Sequence, residues 1–123
     1  MRLNEIVFAG RPPVDGYGPG GFRIAGAWRE GALLLLPSGV HRIEGLTLAA
    51  LAPLVAAGSE IELALVGLGA EGASSRPDLP PDLRKAIREA GPEVETMSTP
   101  SACRTYNVLL AENRRIAAAL DPV

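Results

Sequence analysis

The chain has 123 residues, of which 47% are hydrophobic, and its 12 basic and 14 acidic side chains give a net charge of −2. This length corresponds to one domain, so we predict a single domain over residues 1–123 and exclude a multidomain enzyme. The charge provides no field that would attract nucleic acid, and the hydrophobic content argues against intrinsic disorder.

The first predicted element is a β-hairpin over residues 22–37. Its first strand is predicted to be half buried because Phe22, Ile24 and Trp28 occupy alternate positions. Residues 29–31 provide the predicted turn. The leucine run that follows is typical of a strand covered on both faces, although a helical fragment has the same pattern. We interpret the run as a strand.

Helical signals follow the hairpin. Thr47 is predicted to cap a short helical turn, and Pro53 to open a second helical piece over residues 54–57, which Gly58 ends. Residues 61–66 are then almost continuously apolar near their end, as in a central strand of a parallel sheet. The sequence therefore predicts a broken helix followed by a buried strand.

The next helix is predicted to begin at Pro81. Leu83, Ile87 and Ala90 follow at a spacing that places them on one helical face, and the charged residues between them point away. Residues 91–92, a Gly-Pro pair, end the helix. The pattern indicates an amphipathic helix that covers a sheet.

The final predicted elements are a strand over residues 94–97 and a helix that starts at Thr99 and Pro100 and runs to about Leu120. The strands 61–66 and 94–97 are joined by a helical crossover. Because such crossovers are right-handed and connect parallel strands, the element order predicts an α/β fold.

A Gly-x-Gly-x-x-Gly pattern, Gly67 to Gly72, directly follows a predicted strand. In dinucleotide-binding folds the third glycine lies at the start of a helix, whereas here the next helix is predicted to begin only at Pro81. We therefore predict no nucleotide cofactor. The strand exit at Gly67 and Gly69 remains a candidate ligand crevice, since open α/β sheets bind ligands at such ends.

Cys103 is the only candidate nucleophile that the sequence supplies. It lies early in the last predicted helix beside Arg104, and both features favour a thiolate. The phosphatase loop pattern requires an arginine where Leu109 stands, so it fails. The alternative is a buried small residue that packs the helix against the sheet.

The start of the last predicted helix is also a candidate anion site. Arg104, Thr105 and Asn107 can donate hydrogen bonds near the first-turn amides. In the alternative, Arg104 pairs with a carboxylate on a neighbouring loop and Asn107 satisfies exposed backbone groups. Both interpretations stay open at this stage.

The segment over residues 14–24 is rich in glycine, which is costly in chain entropy. One interpretation is a wide turn that leads into the hairpin. The other is a loop held open for a partner, with Tyr17 and Phe22 as anchors. The candidate binding residues of this loop are Tyr17, Gly18, Gly20, Gly21, Phe22 and Arg23.

The chain has a single cysteine and a single histidine, His41, so neither an internal disulfide nor a zinc cage can form. We expect no metal, no cofactor and a cytoplasmic location. The longest charge-free run, residues 45–59, is shorter than the ~20 apolar residues that span a bilayer and contains Pro53. We therefore expect no membrane insertion, and no signal peptide because Glu5 interrupts the N-terminus.

Two segments, residues 16–24 and 95–120, together resemble a small family of mostly unknown function whose eukaryotic members include mitochondrial respiratory complex I assembly factor 3 and an adipogenesis-associated protein. The Cys-Arg-Thr-Tyr-Asn run at residues 103–107, which contains Tyr106, is its most specific part. The family usually has an acidic residue at Ser98 and a glycine at Asn113.

The resemblance implies a three-layer α/β/α domain with a mixed central sheet and an added β-hairpin, and it implies no established enzyme activity. The first functional hypothesis is thus a non-enzymatic interaction module that assists assembly of a membrane-associated respiratory complex through a protein partner, with a homodimer left open. The alternative is a small-molecule or anion-binding protein that uses Gly67, Gly69 and residues 99–104, with Cys103 as a reactive thiol.

Overall fold

The computed structural model describes residues 11–70 and 78–123. Its strands and helices in chain order are β1 (Val14–Gly18), β2 (Gly21–Ile24), β3 (Ala27–Glu30), β4 (Ala32–Leu36), β5 (Gly39–Ile43), α1 (Ala52–Ala56), a 3-10 turn (Gly58–Glu60), β6 (Leu63–Gly67), α2 (Pro81–Ala90), β7 (Glu93–Met97), α3 (Thr99–Ala111) and β8 (Ile116–Leu120).

Two sheets organise these elements. A large five-stranded sheet has the order β5-β4-β8-β6-β7, and a small three-stranded sheet has the order β1-β2-β3. In the large sheet β6 is parallel to both β7 and β8, whereas β4 is antiparallel to β5 and β8. Gly67 lies opposite Met97, so the predicted neighbouring parallel strands are confirmed.

Helices cover both faces of the large sheet. On one face Leu54 of α1 and Ile87 of α2 pack with Leu34 of β4. On the other face α3 packs through Tyr106 together with Phe22 of the small sheet. Because strand side chains alternate between faces, the leucines of β4 reach both clusters, as predicted for a strand covered on both sides. The predicted three-layer α/β/α fold with a mixed sheet is confirmed.

The prediction of a final helix reaching Leu120 is wrong. Helix α3 ends at Ala111. Just beyond it, Asn113 adopts a positive φ of 59°, and the amide of Arg114 donates to the carbonyl of Leu109 at 3.0 Å. These features form a Schellman motif. The following segment is β8, which lies between β4 and β6. Alanine favours helices, but the fully buried alanines of β8 let helices approach both faces of the sheet.

The predicted hairpin over residues 22–37 is also corrected. Residues 29–31 are not its turn. The turn consists of Ala25 and Gly26, which connect the paired strands β2 and β3, and β4 belongs to the large sheet. Both turn residues have positive φ, 52° and 79°, which is the geometry of a two-residue type I′ turn. The added hairpin is thus a three-stranded antiparallel sheet.

We expect Ala25→Asn to stabilise the protein. An alanine at positive φ is strained, whereas asparagine tolerates this conformation and Asn-Gly is a preferred type I′ pair. The free energy of unfolding, measured in urea, should rise by about 1 kcal/mol. The same substitution at exposed Ala27, which lies in β3, should give no gain. A loss of stability on substituting Ala25 would contradict the turn geometry.

Candidate functional site

The carboxyl ends of β6, β7 and β8 meet around Thr99, the first residue of α3. Its hydroxyl accepts a hydrogen bond from the amide of Gly69 at 2.8 Å and donates one to the carbonyl of Asp121 at 2.6 Å. The Thr99 amide donates in turn to the Gly69 carbonyl at 2.7 Å. The side chain is fully buried, so this one hydroxyl connects the ends of the strands to α3.

Gly67 and Gly69 therefore do lie beside the helix start, as predicted, but the crevice expected at Gly67 is filled. A methyl group on Gly67 would lie 2.8 Å from Thr99 Oγ1 and 3.0 Å from Leu120 Cδ2. The glycine permits a close approach between strand and helix. The protein's own atoms occupy the space that the small-molecule hypothesis requires beside Gly67.

Cys103 and Tyr106 face the core from α3. Both are buried, in the same apolar cluster as Phe22 and Leu65. Burial raises the pKa of Cys103 from 9.0 to about 11, although the nearby Arg104 opposes the shift. Burial likewise raises the pKa of Tyr106 to about 12. The thiol is protonated at neutral pH, so the expectation of an activated thiolate is corrected in favour of the packing role.

We expect Cys103 to react with iodoacetamide more slowly than a free thiol at pH 8, because it is buried and its pKa is raised to about 11. Mass spectrometry over time measures the labelled fraction, and urea-unfolded protein is the control in which labelling becomes fast. Labelling of the folded protein at the rate of a free thiol would restore the nucleophile hypothesis.

The raised pKa of Cys103 also predicts alkaline destabilisation. The folded protein holds this proton more tightly than the unfolded chain, so its contribution to stability is complete below pH 9 and declines as the pH rises through 11. The complete loss is about 3 kcal/mol, since the pKa values of 9.0 and about 11 differ by about two units and one pKa unit corresponds to ~1.4 kcal/mol. Urea unfolding between these pH values should show a smaller decline in Cys103→Ala; an equal decline would contradict the assignment.

The remaining polar residues of α3 bond within the protein. Asn107 accepts from the Val14 amide and donates to its carbonyl, both at 2.8 Å, which attaches β1 to α3. This confirms the backbone-satisfying interpretation of Asn107. The Thr105 hydroxyl contacts Met97 Sδ at 3.8 Å, and exposed Arg104 donates to Ser101 Oγ at 3.2 Å. Asn107 is thus committed to β1, outside any anion site.

The anchors predicted in the glycine-rich segment differ sharply in exposure. Tyr17 and Phe22 are direct cross-strand partners of β1 and β2. Phe22 is 0% exposed and belongs to the core, whereas Tyr17 at the rim of the sheet is 42% exposed. Phe22 is therefore a packing residue, which corrects its predicted role, and Tyr17 is the accessible member of the pair.

The role of Trp28 was not predicted from the sequence. A methyl group on Gly21 would lie 2.8 Å from Trp28 Cζ2, and one on Gly18 would lie 3.4 Å from Cη2. The indole thus lies over a glycine floor on the outer face of the small sheet, and its Nε1 donates to Glu30 Oε1 at 3.0 Å. It is nevertheless 42% exposed. The sequence feature that could have indicated this contact is the single tryptophan that follows a glycine-rich segment.

The turn that carries Gly20 is fixed from two directions. The Gly20 amide donates to the carbonyl of Val123 at 3.1 Å, and its carbonyl accepts from the Gly31 amide at 2.7 Å. Arg23 is exposed and donates to the Gly26 carbonyl at 3.4 Å. The glycine-rich segment is therefore an ordered part of a sheet, with two exposed aromatic residues, Tyr17 and Trp28.

The described ranges also contain a charged surface depression. An open depression of about 670 Å³ beside α2 is lined by the charged residues Arg84, Arg88 and Glu93 among others, and Arg88 pairs with Glu93 at 4.0 Å. Within residues 11–70 and 78–123, no grouping of histidine, cysteine or acidic residues could hold a metal ion. In the same ranges no helix is long and apolar enough to cross a membrane.

Known proteins are similar to almost the whole chain. A family described as "Protein of unknown function (DUF498/DUF598)" matches residues 14–120. An uncharacterized protein of Rhodobacter capsulatus is 46% identical over 123 residues, 100% of this chain and 94% of that protein. The crystal structure of an outer membrane protein from Bartonella henselae is similar with a TM-score of 0.84 at 39% identity, covering 95% of this chain and 99% of that chain.

A mammalian relative carries a functional name. NADH dehydrogenase [ubiquinone] 1 alpha subcomplex assembly factor 3 of Mus musculus is 32% identical over 114 residues, which are 89% of this chain. The chain spans 60% of the length of that relative.

Proposed function

The chain belongs to the DUF498/DUF598 family of proteins of unknown function, and from that premise we propose that it is a non-enzymatic interaction module that binds a protein partner. The role that we propose is assistance in assembling a membrane-associated respiratory complex. Support comes from the assembly factor of Mus musculus, which is similar over 89% of this chain. A cytoplasmic location is part of the proposal, supported by the lone cysteine, Cys103.

The observation that carries the proposal is the exposure of Tyr17 and Trp28 on the small sheet. Each is 42% exposed, although large aromatic side chains usually bury most of their surface. Their side chains lie on opposite faces of the sheet. Tyr17 is paired with Phe22 and shares its face, whereas Trp28 is paired with Arg23, the next residue of β2, whose side chain points to the other face. Aromatic residues are enriched at the centres of protein interfaces.

The small sheet is also attached to the core by packing and hydrogen bonds, which favours binding. Phe22 and Val14 pack in the core, and Asn107 makes a paired hydrogen bond to the backbone of Val14. A partner that contacts Tyr17 therefore meets a surface that is already ordered. Binding to a pre-organised surface loses less conformational entropy than binding to a flexible one.

Affinity capture tests this proposal. Tagged wild-type protein, expressed in its own cells and captured at modest salt, should retain subunits of the respiratory NADH dehydrogenase or proteins that assemble it. Tyr17→Ala should reduce their recovery severalfold. Val108→Ala is the matched control, since Val108 is an exposed apolar residue on α3. Identical recovery in both variants, or capture of no such protein by the wild type, would contradict the proposal.

A further inference from the structure

The outer strand of the small sheet, β3, presents an open edge. Its residues Ala27–Glu30 are all exposed, and within residues 11–70 and 78–123 it pairs only with β2. In an antiparallel pair of strands, residue pairs that exchange hydrogen bonds alternate with pairs that do not. The amide of Gly31 donates to the carbonyl of Gly20, and this bond fixes which pairs between β2 and β3 exchange hydrogen bonds. The backbone groups of Trp28 and Glu30 consequently point away from β2, toward the position of a further strand.

Trp28 marks this edge with a fixed aromatic ring. The indole lies on Gly18 and Gly21 and is held by the hydrogen bond to Glu30. An apolar side chain on an added strand, directly opposite Trp28, would cover the exposed part of the ring. Cross-strand contacts between aromatic and β-branched residues are among those that stabilise neighbouring strands.

Charge determines which strand suits this edge. Arg29 and Glu30 are adjacent and exposed, so an antiparallel strand places one residue opposite each. A carboxylate opposite Arg29 and a cation opposite Glu30 would be attractive, whereas like charges would repel. A second copy of β3 is unsuitable: the antiparallel register that bonds both Trp28 and Glu30 places Arg29 opposite Arg29 of that copy.

We propose that β3 binds an extended segment of a different protein by antiparallel strand addition, and that this segment carries a basic, an acidic and an apolar residue in that order, opposite Glu30, Arg29 and Trp28. The inference rests on the proposed interaction function and specifies its mode. Backbone hydrogen bonds to Trp28 and Glu30 provide the affinity, and the adjacent charges provide the sequence preference.

A cyclised hairpin peptide tests the proposal, because it is already in the strand conformation. Its outer strand reads Thr-Lys-Glu-Val-Thr, and the control peptide reads Thr-Glu-Lys-Val-Thr. Trp28 is the only tryptophan of the chain, so its emission reports on this edge directly. We expect a blue shift on titration with the first peptide and about tenfold weaker binding of the control. Methylation of the outward amides of the peptide strand should abolish binding.

Charge reversal in the protein completes the test. The double variant Arg29→Glu, Glu30→Lys changes two exposed side chains and removes the hydrogen bond from Trp28 Nε1 to Glu30, while the indole keeps its contact with Gly18 and Gly21. It should invert the preference between the two peptides. No emission change with either peptide up to millimolar concentration, or equal affinity for both, would overturn strand addition. If the peptides fail while Tyr17-dependent capture of a partner persists, the mode is wrong and the interaction function stands.

Discussion

Phe22→Ala is expected to lower the free energy of unfolding by about 3–5 kcal/mol, the usual range for removing a large aromatic side chain from a core. Phe22 is 0% exposed and packs with Cys103 and Leu35 between the small sheet and α3. Its removal leaves a cavity that the surrounding strands and helix fill only in part. Urea denaturation followed by circular dichroism measures the loss.

The matched control is Tyr17→Ala. Tyr17 is the direct cross-strand partner of Phe22 but is 42% exposed, so its truncation should change stability by only ~0.5 kcal/mol. Equal losses for the two variants would contradict the division of this pair into a core residue and a surface residue. The same result would remove the reason for assigning partner binding to Tyr17.

Thr99→Val should lower the free energy of unfolding by about 2–4 kcal/mol, because the substitution leaves the buried Gly69 amide without its acceptor and removes the hydrogen bond to the part-buried Asp121 carbonyl. The hydroxyl of Thr99 bridges the Gly69 amide and the Asp121 carbonyl at the ends of the parallel strands. Valine has a similar shape but cannot make either bond. Thermal and urea unfolding report the change.

Thr105→Val provides the comparison for that result. Thr105 lies in the same helix, is only partly buried, and bonds the weak acceptor Met97 Sδ at 3.8 Å. Its substitution should cost less than about 1 kcal/mol. If Thr99→Val were as mild, the strand ends would not depend on the Thr99 hydroxyl.

Local signals were sufficient for the middle of the chain. Helix α2 begins at Pro81, ends before Gly91 and buries Leu83 and Ile87, as its spacing predicted. The parallel pairing of β6 and β7 followed from the element order together with the handedness of crossovers. These elements carry their own start and stop residues, so the sequence alone was informative.

Strand β8 depended instead on its surroundings. Ala117, Ala118 and Ala119 favour a helix in isolation, and only burial between β4 and β6 makes them a strand. The turn at Ala25 was missed for a related reason, since alanine is rare at positive φ and gives no hairpin signal. In both places tertiary packing outweighed local preference.

The sequence predicted which residues meet at the candidate site, but not whether space for a ligand remains between them. Strand-end reasoning correctly placed Gly67 near Thr99, but whether a gap remains there depends on distances of a few tenths of an ångström. The glycines beneath Trp28 lie diagonally across the neighbouring strands, so this contact can be predicted only when the register between the strands is known. Sequence patterns along the chain do not contain that register.

Site-specific photocrosslinking in cells tests most directly whether the small sheet is the binding surface. A photoreactive phenylalanine derivative replaces Tyr17 in one variant and Val108 in another, both exposed positions. The account predicts a discrete crosslinked protein from position 17 and none from position 108. A crosslink from position 108 alone, or from neither position, would contradict it.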